Sequence, residues 1–398
     1  GEIKRAVVAG GGFIGLEVAE NLAAKGVRTT VIDFAPHVLP NFLDPELSEY
    51  VENRMAEAGI MPMTNVALEG VEGSGKVEKV LTSKRGLKAD ALVLAIGIRP
   101  NTGFLEGSGI EMHKGTILTD QYLRTNLPDV YAAGDCAMVS NRQTGKPVWS
   151  PMGSTANIAG RILATGVAGK ETAYPGVLGT GVARLPGGLN AGRTGLTETA
   201  ARAEGYDVET ALAVVDDKAH YYPGADIFII KLTADKATRK LLGVQALGAG
   251  AVDKVTDIGV TAISLGATVD QLAVMDFAYA PPFSTAIHPF AHSVNILMNK
   301  LDGALESVTP GEYAAGAAEG YEIVDCAQAP TLAGRRFLNP ASICGEVEGL
   351  AKDAKVLLVC TKGRRAYLTQ NRLKYYGYTN TKVLEGGVTF TEIEGEEE

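Results

Sequence analysis

The stretch VVAGGGFIGLEVAENLAAKGVRTTVID, residues 7–33, constrains the fold of this chain more than any other. An apolar strand runs into Gly10-x-Gly12-x-x-Gly15, a helix follows, and a second strand ends at the acidic Asp33. Gly10 permits the tight turn, and Gly12 lets the backbone approach a pyrophosphate. Gly15 lets helix and strand pack closely, with the helix N-terminus facing the phosphates. A carboxylate about 20 residues on accepts bonds from both ribose hydroxyls. Asp33 would repel a 2′-phosphate, and Phe34-Ala35-Pro36 offers no cation to receive one, so NADH is expected over NADPH. A glycine loop alone is a weak signal; strand, helix, second strand and terminal acid together are a strong one.

The 398 residues suffice for two to four domains, and the fold class expected is α/β. Residues 1–97 read as β-α-β units of a Rossmann-type NAD(P)-binding domain. Residues 98–170 read as a loop, the strand-turn VYAAGDCA (130–137) and a helix from about Ser154 to Gly166. Over 171–301 strands are followed by helices, the order of an α+β module. Residues 302–320, small, polar and Gly-rich, read as a linker. Residues 321–398 read as a small α/β domain whose terminal GEEE is a solvated end.

The net charge of −9 argues against a nucleic-acid partner. No apolar run approaches the roughly 18 residues of a membrane span, and GEIKRAVVAGGG is not a signal peptide. Cys136, Cys326, Cys344 and Cys360 show no CxxC and no metal-ligand spacing, so no metal is assigned and a reducing, cytoplasmic setting is expected.

GGGFIGLEVAENL, AIGIRPN, VYAAGDCA and YAPPFS, in this order and spacing, resemble the FAD-dependent pyridine nucleotide-disulfide oxidoreductases over about residues 1–300. YYPGA (221–225) and YAPPFS (279–284) are most similar to the coenzyme A-disulfide reductase branch. The resemblance implies an NAD domain inserted into an FAD domain, so that 98–170 is the second half of the FAD domain. The first half, with the family's redox cysteine, is then expected before Gly1. It also implies that Asp135 binds the flavin ribityl chain, and that Met152, Gly153 and Ser154 bring helix-start N–H groups to the flavin ring. Phe13 would gate nicotinamide from flavin, Glu17 would lie near the nicotinamide and Gly97 under the dinucleotide. Residues 171–301 would form a homodimer, with Tyr222 and Tyr279 bordering the substrate. Where the family continues after YAPPFS with a Lys-Asp-Pro run, this chain has Ile287-His288-Pro289-Phe290-Ala291-His292. Two histidines four apart could share a helix face, but Pro289 interrupts and no third ligand is apparent. His288 as a proton donor to a substrate thiolate is the stronger expectation.

VLLVCTKGRRAYLTQ places Cys360 at a strand end, before Lys362, Gly363, Arg364 and Arg365 and a helix. Loop N–H groups, a positive helix end and three cations would lower the thiol pKa and stabilise a persulfide. Phosphatases share this geometry but need five residues between Cys and Arg; here there are four. The Cys-x-x-Gly-x-Arg loop, with the later LEGG, resembles rhodanese sulfurtransferases over about 318–392. It departs from them at Asp325-Cys326-Ala327, where Asp-Val-Arg is common. Cys326 and Cys344 read as small buried apolar residues.

The whole therefore reads as an NAD(P)H-dependent flavoprotein that reduces disulfide, persulfide or polysulfide bonds of small molecules, coenzyme A-type substrates among them. The rhodanese-like domain would handle sulfane sulfur. The alternatives are an NADH oxidase or peroxidase, or a non-catalytic dimeric scaffold with a degraded rhodanese.

Overall fold

A computed structural model describes residues 3–393, so the terminal GEEE lies outside the described residues. In the first unit β1 (Arg5–Ala9), α1 (Phe13–Ala24), β2 (Arg28–Ile32), α2 (Pro45–Glu57) and β3 (Ile60–Met63) alternate. An antiparallel meander, β4 (Leu68–Glu72), β5 (Lys79–Thr82) and β6 (Gly86–Lys88), precedes β7 (Ala91–Leu94). Four strands form a parallel sheet in the order β3-β2-β1-β7. Ala6, Val7, Val8 and Ala9 are all buried, as an inner parallel strand covered on both faces requires. β3 and the meander escaped the sequence reading because Pro62 interrupts one and half-exposed polar residues fill the other.

Residues 98–170 hold two short hairpins, β8 (Met112–His113) with β9 (Thr116–Ile117) and β10 (Met138–Ser140) with β11 (Pro147–Trp149). They end in α3 (Gly153–Val167). VYAAGDCA does not form the expected strand. It makes isolated bridges, Arg124 with Tyr131 and Ile117 with Ala137. A ladder needs successive paired residues; residues 123–125 run beside 130–132, but their backbones bond only through Thr125 N to Val130 O and Ala132 N to Leu123 O, which makes one bridge and no more.

The third unit comprises β12 (Gly181–Leu185), β13 (Leu189–Gly195), α4 (Glu198–Ala203), β14 (Val208–Asp216), β15 (Ile227–Asp235) and β16 (Leu241–Gly248). Helices α5 (Val252–Ser264), α6 (Val269–Ala273) and α7 (Pro289–Leu301) follow. Its antiparallel sheet has the order β12-β13-β16-β15-β14. Side chains alternate between faces. Leu212, Val214, Ile229 and Leu247 pack on Leu16 of α1 and Leu47, Val51 and Met55 of α2. Ala211, Phe228, Ile230 and Leu232 pack under α5 and α7.

The same alternation turns Lys231 toward the first unit, where it is 1% exposed. Its ammonium meets the carboxylates of Asp44 at 3.1 Å and Glu198 at 2.8 Å, and that of Glu46. The Gln245 amide donates to Asp44 Oδ2 at 2.6 Å. Burial alone would raise the Asp44 pKa, but Lys231 and the bonds from Gln245 and Thr199 hold it at about 2.

The fourth unit runs β17 (Ser307–Val308), α8 (Pro310–Ala314), β18 (Glu322–Asp325), β19 (Arg336–Phe337), β20 (Val356–Val359), α9 (Arg364–Tyr375), β21 (Thr381–Leu384) and α10 (Gly387–Phe390). Its parallel sheet has the order β17-β21-β20-β18-β19. Residues 302–320 are therefore not the expected linker. Ser307 and Val308 pair with Val383 and Leu384, and Thr309 and Glu312 form a reciprocal capping box on α8. Glu385, at the end of β21, reaches the free edge of β14. Its Oε2 accepts from Leu212 N at 2.6 Å, and its Oε1 accepts from Lys300 Nζ and Ser307 Oγ, each at 2.6 Å.

Lys231→Met leaves three carboxylates converging without a cation and is expected to lower stability by about 3–5 kcal/mol, read from the urea midpoint; a change within about 0.5 kcal/mol would show the cluster to be inert. The folded pKa of Asp44 is depressed, so its contribution is present above pH 3.8 and lost as pH falls toward 2. In the wild type this contribution is about 2 kcal/mol, and thermal melts in that window should show the loss.

Candidate functional site

Most of the residues singled out in the sequence fall at three places: the start of α1, the start of α3, and the loop between β20 and α9. At the first, Gly10 adopts φ +113°, and a Cβ there would lie 2.2 Å from Ala95 O. A Cβ on Gly15 would lie 1.8 Å from Gly10 O. These two glycines are required by the fold itself. Gly12 differs: its backbone is extended and a Cβ would meet nothing within 4 Å. Gly12 is also the N-cap of α1, and no side chain caps the helix to take its first-turn amides. Asp33 Oδ2 accepts from Gly11 N and Oδ1 from Ala35 N at 2.7 Å, tying the loop to the end of β2. Two of its four lone-pair sites remain for ribose hydroxyls. This cradle fits a dinucleotide. Glu17 is exposed on α1, and Gly97, at φ +107°, is exposed just beyond β7. The Phe13 ring packs edge-on against Phe42 at 4.6 Å between centroids, on the border of the core.

At the second place Met152 is the N-cap of α3, again without a side-chain cap, and Gly153 and Ser154 are exposed. The turn carrying Asp135 abuts this helix start: a Cβ on Gly134 would lie 3.9 Å from Ala156 Cβ. Trp149 Nε1 donates to Asp135 O at 2.7 Å, which fixes the turn and leaves the carboxylate exposed. An exposed acid beside uncapped amides fits a polyhydroxylated, ring-bearing cofactor such as FAD.

Tyr222 and Tyr279 lie in the loops after β14 and before α7, 39% and 52% exposed. His288 does not serve as the expected proton donor. It is 5% exposed, its Nδ1 accepts from Phe290 N at 3.2 Å as the N-cap of α7, and its ring stacks on Phe277. Burial, then the charge of Lys254, pushes its pKa down to about 4, so it is neutral at pH 7. Pro289 does not interrupt a helix but begins one, at the position where proline's missing N–H costs nothing. Among the described residues only Asp44, Glu46 and Glu198 cluster as metal ligands would, and Lys231 occupies their centre.

At the third place Cys360 is 3% exposed, and its Sγ accepts from Ala366 N at 3.4 Å. The expected ring of cations around it does not form. Lys362 turns away to Asp216 of β14 at 2.6 Å. Arg365 donates to Cys326 O at 3.0 Å and Asn339 Oδ1 at 3.1 Å. Arg364 faces a cavity of about 580 Å³ between α7 and α9, alongside His292 and Ile296. Burial and then Arg364 lower the His292 pKa. Nothing near Lys362 in the sequence marks Asp216 as its partner, because Asp216 lies 146 residues upstream. Lys231 was legible in principle: in IFIIKLTAD it shares a strand face with Ile229 and Thr233.

Residues 1–161 match the family model for pyridine nucleotide-disulphide oxidoreductases, and residues 187–291 match that family's dimerisation domain. The chain belongs to the pyridine nucleotide-disulphide oxidoreductase family. It is 36% identical over 296 residues to the NAD(P)H sulfur oxidoreductase (CoA-dependent) of Pyrococcus abyssi, a match covering 74% of this chain and 66% of that protein. The chain thus spans a little under two thirds of that relative's length. It superposes over 98% of its length on a NAD-dependent persulfide reductase from A. fulgidus, with TM-score 0.91, 33% identity and 72% of that chain covered. It superposes equally far on reduced Bacillus anthracis CoADR-RHD, with TM-score 0.90, 29% identity and 70% of that chain covered. Both superpositions take in the C-terminal sheet. No helix among the described residues is long and apolar enough to cross a membrane.

The contrast between the glycines is testable. Gly12→Ala should leave the melting temperature unchanged while abolishing NADH binding, read by nucleotide fluorescence. Gly15→Ala should lower the melting temperature outright. Unaltered NADH binding in Gly12→Ala would remove the loop from the site.

Proposed function

We propose that the chain is the larger part of an NAD(P)H-dependent flavoprotein that reduces sulfur–sulfur bonds in small disulfides, persulfides or polysulfides, coenzyme A derivatives included. The observation that carries this reading is the pair of uncapped helix starts, at Gly12 with Asp33 and at Gly153 with Asp135, in a chain that superposes nearly end to end on a persulfide reductase. Gly10, Gly12 and Gly15 admit the dinucleotide, Asp33 takes its ribose, and Glu17 and Gly97 border its nicotinamide half. Asp135, Met152, Gly153 and Ser154 hold FAD, which when bound supplies two-electron transfer between nicotinamide and substrate. Tyr222 and Tyr279 border the substrate, where a phenol donates to a sulfur anion. The C-terminal unit is rhodanese-like, with Cys360 accepting sulfane sulfur and Arg365 holding its loop. Because Cys360 is almost fully buried, loading it requires that loop to open.

Residues 171–301 form a homodimer in this reading. Val274, Met275, Tyr279, Phe283 and Ile287, all exposed in one segment before α7, supply an apolar surface for a second copy.

The test is anaerobic. Supplied with the family's flavin-loop half and its redox cysteine, and with FAD added, the chain is expected to show a bound-flavin spectrum and to consume NADH with persulfide or disulfide. Consumption only with oxygen or peroxide would instead assign an oxidase, and no bound flavin would reject the reading for this chain. NADH should bind more tightly than NADPH, with Asp33→Ala narrowing the difference; the opposite order would overturn the role of Asp33. Sedimentation at micromolar concentration should show a dimer.

A further inference from the structure

Two of the four cysteines stand side by side at one end of the C-terminal sheet. β18 and β20 are parallel neighbours in the register Asp325 with Val359, and Cys326 N donates to Val359 O at 2.6 Å. One residue further along each chain segment stand Cys326 and Cys360. Neighbouring strands run about 4.8 Å apart, and in-register side chains point to one face. That spacing lies within the roughly 4.4–6.8 Å between Cα atoms that a disulfide spans. Both thiols belong to the same core cluster, and Cys326 is fully buried. Arg365, from the helix after the Cys360 loop, bonds the Cys326 carbonyl and so ties the two segments together. A pair so placed has a use that a single small apolar residue does not.

We propose that Cys326 is a resolving thiol, which releases as hydrosulfide the sulfane sulfur taken up by Cys360. The inference rests on the reading of Cys360 as the sulfane acceptor. A donor persulfide passes its outer sulfur to Cys360 and leaves as a thiol. The Cys326 sulfur then bonds to Cys360 Sγ as the bond from Sγ to the outer sulfur breaks. The outer sulfur departs with that electron pair and with the Cys326 proton, as HS⁻ from the persulfide anion. Two cysteines are oxidised by two electrons to a disulfide, and the sulfane sulfur is reduced by two. A dithiol reductant restores the pair. Burial above all, and the neighbouring Cys360 with it, push the Cys326 thiol up to about 12. It is therefore protonated at neutral pH, and it holds the proton that the departing sulfur needs.

The reduced chain is treated anaerobically with glutathione persulfide, and sulfide release is measured alongside intact mass and peptide mapping. The wild type is expected to release one sulfide per chain and to lose two hydrogens, mapped to a Cys326–Cys360 linkage. Cys326→Ser and Cys326→Ala should instead each retain one added sulfur on Cys360 and release no sulfide. A wild type that keeps the added sulfur without releasing sulfide overturns the proposal while Cys360 stands as acceptor. If no sulfur loads onto Cys360 in any form, the acceptor reading fails, and the resolving role with it. The wild-type result decides the matter alone should either variant fail to fold.

Discussion

A single buried ammonium, that of Lys231, fixes how the first and third units meet. Their interface is otherwise built from Leu16, Leu47, Val51, Met55, Leu212 and Leu247, apolar side chains that could slide over one another. The three carboxylates around Lys231 remove that freedom, because any displacement leaves charges buried and unmatched. Asp44 does more than neutralise the lysine. It stands at the N-cap of α2, yet its oxygens accept from the Glu198 and Thr199 amides at 3.0 and 3.1 Å, so it caps α4 instead. One residue thus ties the start of α2, where it stands, to the start of α4, which its carboxylate caps. The core beneath α2 is shared with α1, whose first turn follows the Gly10–Gly15 loop proposed to cradle the dinucleotide.

The third unit's sheet is also the reference for the Cys360 loop. Glu385 and Lys300 grip the edge of β14, while Lys362, two residues beyond Cys360, pairs with Asp216 near the end of that strand. The cradle and the thiol loop are therefore both positioned against one five-stranded sheet. Tyr50 of α2 stacks on Phe390 of α10 at 5.2 Å between centroids, joining the first unit to the fourth directly. The cavity between α7 and α9 is the part of this arrangement where packing is incomplete.

What the sequence disclosed was local. The β-α-β run was legible because its apolar runs, glycine turn and terminal acid lie within one short window, and Gly10 and Gly15 have the close contacts their spacing implied. What it concealed was pairing across distance. Lys362 looks like a cation for Cys360 until Asp216 is known to lie beside it. His288 looks like a titrating group until Phe277 and the Phe290 amide are found around it. The stretch 302–320 looks like a linker because its strand is only two residues long and takes its meaning from β21. VYAAGDCA errs in the other direction: its strand-like composition needs a neighbour for a ladder, and it makes only single bridges.

The grip of Glu385 on β14 has a consequence for the life of the protein outside any chemistry. β14 is an edge strand nine residues long, rich in Val, Ala and Leu, the kind of border on which stray chains template themselves. Glu385 satisfies an outward amide and Lys300 an outward carbonyl, so the C-terminal unit acts as a guard rail along it. Shedding that unit would uncover a sticky seam. Protection of that edge is thus a role for the C-terminal unit that is independent of any chemistry at Cys360.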